Sequence, residues 1–205
     1  MIAIELAGKL IVFEGLDASG KSTQARLLAR RLTEADLDVV STREPGGTPI
    51  AEGIREVLLE REHHALLPLS ELLLFMVSRT QNTHEVILPA LRAGKTVVAS
   101  RYRLSSMAYQ GYGRGLDLDL IRQLNEAATS GTRPDVTFLI DVPAEYTLRR
   151  KADRGDRIEV ESIAFHRRVR RGFLELTEGD PTVHVVDGTR SIEQVRSSVA
   201  ECLGL

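Results

Sequence analysis

The chain has 205 residues, 42% of them hydrophobic and 27% charged, with a formal net charge of −2 and a pI near 6.2. That size and balance suit one globular domain spanning residues 1–205, and they exclude a disordered polar chain and a broad basic surface for nucleic acid. No stretch approaches the roughly 20 apolar residues of a membrane helix, and the single cysteine, Cys202, cannot form an internal disulfide, which fits a reducing cytoplasm.

Met1 to Leu6 is short and carries Glu5, so it does not read as a signal peptide. The apolar run Leu10–Phe13 reads as a buried strand. Directly after it stands Gly15-Leu16-Asp17-Ala18-Ser19-Gly20-Lys21-Ser22, which fits G-x-x-x-x-G-K-[ST] at every fixed position. Thr23 to Ala35 follows, with Ala25, Leu28, Leu32 and Ala35 at helical spacing. Strand, glycine loop and helix form the context in which this motif binds nucleotide phosphates. Gly15 and Gly20 allow backbone angles that a Cβ would forbid. Successive N–H groups can then form an anion nest at the positive end of a helix. Lys21 can reach the outer phosphates, and the Ser22 hydroxyl can ligate Mg²⁺.

Val39–Thr42, Thr96–Ala99, Val136–Val142 and Val183–Val186 read as four more strands. Their apolar residues are consecutive rather than alternating, as in a parallel sheet covered on both faces. Thr48 with Pro49 predicts a helix start, running to about Arg61. Pro68 opens a long helical stretch, Leu69 to Arg92, that Gly94 stops. Asp117 caps a helix ending near Ser130, Pro143 and Ala144 begin another, and Ser191 with Gln194 forms a capping box for the last. The expected architecture is therefore a five-stranded parallel α/β sheet with helices on both faces. Ligands in such sheets sit beyond the carboxyl ends of the strands.

Arg149, Arg150, Lys151, Arg154 and Arg157 crowd one segment with Asp153, Gly155 and Asp156. Beside a phosphate-binding loop, this reads as a mobile lid at about residues 149–160, whose arginines neutralise charge on a transferring phosphoryl group. Arg167, Arg168, Arg170 and Arg171 read as one face of a helix without a catalytic role. Asp141 ends Phe-Leu-Ile-Asp, which suits either a metal-site aspartate or a cap for the helix near Pro143, and the cap is preferred. Cys202 is expected to pack as a small apolar residue in the last helix. The histidines show no metal-ligand spacing.

Several motifs occur in one order: Phe13-Glu14-Gly15-Leu16-Asp17, Thr42-Arg43-Glu44-Pro45-Gly46-Gly47-Thr48, Leu74-Phe75 with Arg79, Arg101-Tyr102 through Ala108-Tyr109-Gln110-Gly111, Asp156-Arg157-Ile158-Glu159, and Val186 to Ser191. In this order the chain resembles the thymidylate kinases, over nearly its whole length. It is similar to the bacterial type, which has a small residue, here Ala18, in the glycine loop and takes its catalytic arginine from the lid. The resemblance implies the fold of the P-loop nucleoside-monophosphate kinases, ATP as donor, Mg²⁺ as metal, dTMP as acceptor and a homodimer. It implies that Gly15, Leu16, Asp17, Ala18, Ser19, Gly20, Lys21 and Ser22 hold the donor phosphates and metal, with the Gly188–Arg190 loop, including Arg190, bordering adenine. On the acceptor side it implies that Asp17 meets the 3′-hydroxyl, Arg101 clamps the phosphate, Phe75 stacks on thymine and Arg79 donates to O4. Ser106 lies near N3, Tyr109 crowds the 2′ position, and Gln110 and Pro45 line the pocket. Lys21, Arg101, Arg154 and Arg157 are the implied catalytic set. The chain departs from the family at Ser100, where an aspartate is expected before Arg-Tyr. The expectation is retained nucleotide binding with lowered turnover.

Overall fold

A computed structural model of the protein describes residues 6–146 and 155–205. Among them, five parallel strands form one sheet in the order β2-β3-β1-β4-β5. The strands are β1 (Leu10–Glu14), β2 (Val39–Arg43), β3 (Thr96–Ser100), β4 (Val136–Asp141) and β5 (Val183–Asp187). The inner strands β1 and β3 are buried along their whole length. Leu10, Ile11, Val12 and Phe13 are each 0% exposed. Each such side chain contributes about 1.5–3 kcal/mol relative to an exposed one. The edge strands β2 and β5 are only half covered, and Val185 is 54% exposed. Coverage on both faces therefore holds for the middle of the sheet and fades at its edges.

Helix α1 (Lys21–Glu34) lays Ala25, Leu28, Ala29 and Leu32 on the sheet, so its N-terminus points at the loop after β1. In α2 (Pro49–Leu59), Thr48 caps the start by accepting from the Ala51 amide at 3.2 Å, and Pro49 takes the first position, where its missing N–H costs nothing. The long helical column runs as α3 (Pro68–Asn82), a π turn (Thr83–Ile87) and α4 (Leu88–Arg92). The wider turn falls just before Pro89, which cannot donate back into an α-helical ladder. Gly94 ends the column at φ 72°. A short α5 (Arg103–Ser106) passes into a π helix, Met107–Gly113. Gly111 and Gly113 there admit close packing, since a Cβ would lie 2.4 Å from Leu118 and 2.6 Å from Phe165. Three further helices are α6 (Leu118–Thr129), capped by Asp117, α7 (Ile163–Thr177) and α8 (Ile192–Cys202), which carries the expected capping box.

Two expectations fail. Among the described residues Asp141 neither caps a helix nor stands free for a metal: both its oxygens accept from Arg170, at 2.8 Å each. A charged fork in reach wins over a backbone amide. Cys202 is exposed rather than packed, because the last turn of α8 presents it to solvent. The register pairs Phe13 with Ser100 and Glu14 with Leu139. The segments following β1, β3 and β4 therefore emerge side by side.

Candidate active site

The loop after β1 is built by backbone torsions. Gly15 sits at φ 139°, Ala18 at 59° and Gly20 at 99°. A Cβ on Gly15 would lie 2.5 Å from the Ile140 carbonyl oxygen, so only glycine fits between β1 and β4. Ala18 holds a left-handed conformation at a cost of about 1–3 kcal/mol, a strain typical of ligand-binding loops. The Ser19 hydroxyl is buried without a hydrogen-bond partner among the described residues, and a Cβ on Gly15 would lie 3.1 Å from it. Lys21 donates to the Leu16 carbonyl at 2.9 Å and lies 3.8 Å from Asp17. Burial, with Arg101 nearby, pushes its ammonium down to about 8.

Arg101 joins this loop to the rest of the cleft. It follows β3 at φ 72°, a second non-glycine residue in the left-handed region. Its Nη1 donates to Ser105 Oγ at 3.0 Å and to the Gly15 carbonyl at 3.3 Å. Its Nη2 donates to Asp17 and to the Tyr109 hydroxyl at 3.2 Å. Tyr109 in turn donates to Asp17 at 2.8 Å. Burial works against ionised Asp17, yet Arg101 and Lys21 hold its carboxyl well below the usual range. Glu14 lies behind this group. It accepts from the Tyr102 amide at 2.8 Å and from Ser105 Oγ at 2.5 Å, and burial raises its pKa. Glu14 is thus committed to shaping the turn that presents Arg101, rather than free to offer charge in place of the missing aspartate.

Beside Arg101 opens a cavity that is in part continuous with solvent. Asp17, Pro45, Phe75, Arg79, Arg101, Ser106, Tyr109 and Gln110 all line it. Phe75 and Arg79, which the resemblance implies for the base, are both at this cavity. Phe75 is half-buried against the cavity, and Arg79 is 1% exposed. Arg79 Nε donates to Glu44 at 2.7 Å, Nη1 to Ser106 at 2.9 Å and Asn125 at 2.6 Å, and Nη2 to the Tyr102 carbonyl at 2.8 Å. Of the five N–H groups of a guanidinium, one on Nη2 remains over among the described residues. An arginine this thoroughly held is a fixed donor at a cavity wall.

The other implied residues divide. Arg157 is 6% exposed and turned away from the loop: Nη1 donates to Glu71 at 2.7 Å and Nε to the Leu58 carbonyl at 3.1 Å. Its neighbours Asp156 and Ile158 line the cavity instead. Arg190 lies on the surface beyond β5, 3.3 Å from Asp187, outside the acceptor cavity. Its loop neighbours α1 through a Gln24 side chain that donates to the Ile192 carbonyl at 3.0 Å. Arg154 and most of the basic segment lie outside the described residues.

Sequence reasoning missed Glu44, Glu71, Asn125 and Arg55. The first three anchor the cavity's polar side chains, and Arg55 lines it while donating to the Pro45 carbonyl at 2.9 Å. A signal was present in α3. Glu71, Phe75, Ser78, Arg79 and Asn82 fall on one helical stripe, and its four polar members are buried. Buried polar residues at helical spacing are rarely mere packing.

The thymidylate kinase family model matches residues 13–199. The chain belongs to the thymidylate kinase family. A thymidylate kinase of Kosmotoga olearia is 48% identical over 194 residues, 93% of each chain. One of an Exiguobacterium species is 47% identical, over 96% of this chain and 94% of its own. A crystal structure of thymidylate kinase from Ehrlichia chaffeensis superposes with a TM-score of 0.79 at 37% identity, covering 96% of this chain and 98% of that one. This family member is therefore a phosphotransferase on the nucleoside-monophosphate-kinase fold. At Ser100, where the resemblance led to the expectation of an aspartate, the Oγ lies 3.1 Å from Ser22 Oγ.

Proposed function

We propose that the protein transfers the γ-phosphoryl group of ATP to the 5′-phosphate of dTMP, giving dTDP and ADP, with the two nucleotides meeting end to end at Arg101. Family membership supports the reaction. The observation that carries the residue assignment is that the whole acceptor set, dispersed from Asp17 to Gln110, lines one cavity that shares Arg101 and Asp17 with the phosphate loop.

In this reading Lys21 and the loop amides cradle the donor phosphates. Arg101 exchanges part of its internal hydrogen bonding for the acceptor phosphate and holds it in line for attack. That phosphate is already ionised near pH 7, so positioning and charge neutralisation suffice. Phe75 offers a face to the base, the remaining Nη2–H of Arg79 donates to O4, and Asp17 with Tyr109 frames the deoxyribose. Arg154 comes from the lid at about residues 149–160. Arg157, tied to Glu71, acts as that lid's anchor. Oxygen-rich groups suit Mg²⁺, and the exposed Ser22 hydroxyl at the mouth of the cradle fits as its one protein ligand, phosphates and water supplying the rest. Mg²⁺ would shield the donor phosphates and orient them. Arg190 borders the adenine.

A coupled ADP-release assay with dTMP, dUMP, CMP, GMP and AMP, with and without Mg²⁺, tests this; turnover of another acceptor in preference to dTMP overturns it. We also infer a homodimer. Leu69, Leu73 and Val77 on α3 recur at helical spacing and are 47%, 45% and 47% exposed, and Ile50 and Val57 on the neighbouring α2 are 58% and 41% exposed. Such a contiguous apolar face on paired helices calls for a cover. Light scattering of Leu73→Glu should give half the mass of the parent. Among the described residues no helix is long and apolar enough to cross a membrane, and with a lone cysteine we place the protein in the cytoplasm.

A further inference from the structure

Glu71 lies outside the set of residues assigned above to contact nucleotide, yet it is 1% exposed and accepts four hydrogen bonds, from Gln110, Arg114 and Arg157. Its Oε1 accepts from Gln110 Nε2 at 2.8 Å and Arg114 Nε at 3.2 Å. Its Oε2 accepts from Arg157 Nη1 at 2.7 Å and Arg114 Nη2 at 3.0 Å. Burial opposes its charge, but the arginine contacts outweigh burial and its pKa is lowered, so the carboxylate is ionised near neutrality. An ionised carboxylate only accepts hydrogen bonds. The amide of Gln110 must therefore turn its NH₂ toward Glu71. Its carbonyl oxygen is left for the cavity that Gln110 lines.

We propose that Glu71 is a positioning residue for base selection: by fixing which end of the Gln110 amide faces the cavity, it makes that wall an acceptor and so favours a base edge that donates an N–H. This rests on the dTMP reading above. Thymine and uracil carry N3–H beside O4. Cytosine has an unprotonated N3 beside an amino group. Next to the spare N–H of Arg79, the cavity then reads donor and acceptor in sequence, matching O4 and N3–H. Cytosine meets donor with donor and acceptor with acceptor. Discrimination of this kind is large because the wrong base leaves buried polar groups unpaired.

Glu71→Gln keeps size and shape but can both donate and accept, so both amides gain a flipped alternative. The expected result is that the ratio of kcat/KM for dTMP to that for dCMP falls tenfold or more. The dTMP to dUMP ratio should stay within twofold, since both bases carry N3–H. Gln110→Leu, which leaves the Glu71–arginine contacts intact, should lower the dTMP to dCMP ratio similarly. Adding Glu71→Gln to it should change that ratio no further, because the effect passes through Gln110. Equal losses toward dTMP, dUMP and dCMP, or additive effects in the double variant, would overturn the proposal and leave Glu71 an anchor of the fold. If Glu71→Gln does not fold, an unchanged dTMP to dCMP ratio in Gln110→Leu would overturn it as well. Failure of the parent protein to use dTMP at all would instead sink the underlying reading.

Discussion

The two sides of the cleft are built on opposite principles. The donor side is a continuous loop, residues 15–22, whose recognition surface is backbone, set by torsions at Gly15, Ala18 and Gly20. The acceptor side is made of side chains from the loops after β1, β2 and β3 and from α3, α5 and the π helix, and its polar members are held by other side chains. The loop tolerates no change in local geometry, whereas the pocket tolerates no loss of a partner. Arg101 belongs to both, touching Gly15 and Asp17 of the loop and Ser105 and Tyr109 of the pocket.

The largest effect should therefore come from removing the residue at the seam. Arg101→Ala deprives the acceptor phosphate of its clamp and leaves Asp17 paired only with Lys21 and Tyr109. We expect kcat/KM for dTMP to fall on the order of 10³-fold, the scale of losing a preorganised electrostatic donor. Arg101→Lys should recover little, since an ammonium cannot span Ser105, Gly15, Asp17 and Tyr109 as the planar fork does. Steady-state kinetics with either substrate varied would show it. Recovery by lysine to near the parent rate would mean that charge alone matters.

Next comes the pocket's inner wall. Arg79 and Glu44 form an ion pair at 2.7 Å, with side chains 1% and 3% exposed. Arg79→Met strands Glu44 in the interior, and breaking such a pair costs about 3–5 kcal/mol. For a domain of this size that lowers Tm by roughly 10 °C. Replacing both, as Arg79→Met with Glu44→Leu, should restore much of the stability while dTMP binding stays lost. Thermal melts together with dTMP titrations separate the two effects. A single variant as stable as the parent would show that Glu44 readily takes up a proton, the direction in which burial already drives it.

On the donor side the corresponding test is a single Cβ. Gly15→Ala places a methyl 2.5 Å from a backbone oxygen at φ 139°, whereas Gly20→Ala meets nothing within 4 Å and suffers only from its φ of 99°. We expect Gly15→Ala to cost about 1–3 kcal/mol of strain and to raise the KM for ATP, with Gly20→Ala the milder of the two. Equal effects would show that torsion, not the close approach of β4, sets the loop.

The same contrast explains what the sequence disclosed. The strands, the phosphate loop and the capped helices are local patterns. Apolar runs with glycine, proline and capping residues at their ends are enough to read them, and the bounds expected for the five strands and for the helices 21–34, 49–59, 118–129 and 192–202 fell within a residue or two, whereas the helical segment 103–113 was not expected. The pocket depends on which helix faces lie opposite each other, which no local pattern states. Arg79 and Gln110 were found only by resemblance to a family. Glu71 and Asn125, which hold them, were not found, although the buried polar stripe from Glu71 to Asn82 marks the face. Asp141 shows the limit from the other side. Its partner Arg170 is 29 residues away, in a run set aside as an ordinary helix face.

The gentlest test varies pH. With its pKa lowered from 10.5 to about 8, Lys21 loses its proton in the free enzyme earlier than an ordinary lysine. Because kcat/KM reports ionisations of the free enzyme, kcat/KM for ATP should decline above about pH 8, by up to tenfold per unit, as the cradle loses its cation. The sign for folding is the reverse. Between about 8 and 10.5 the unfolded chain binds the Lys21 proton more than the native one does, so this group makes stability rise with pH across that window. Activity and stability should thus diverge on the alkaline side. A parallel loss of both would assign the pH dependence to unfolding. On the acceptor side, Asp17 and Arg101 are both held further into their charged ranges, so dTMP affinity should stay nearly flat from pH 7 to 9. A dTMP affinity falling in step with that of ATP would mean that the lysine serves both nucleotides, and that the division between loop and pocket is less sharp than their construction implies.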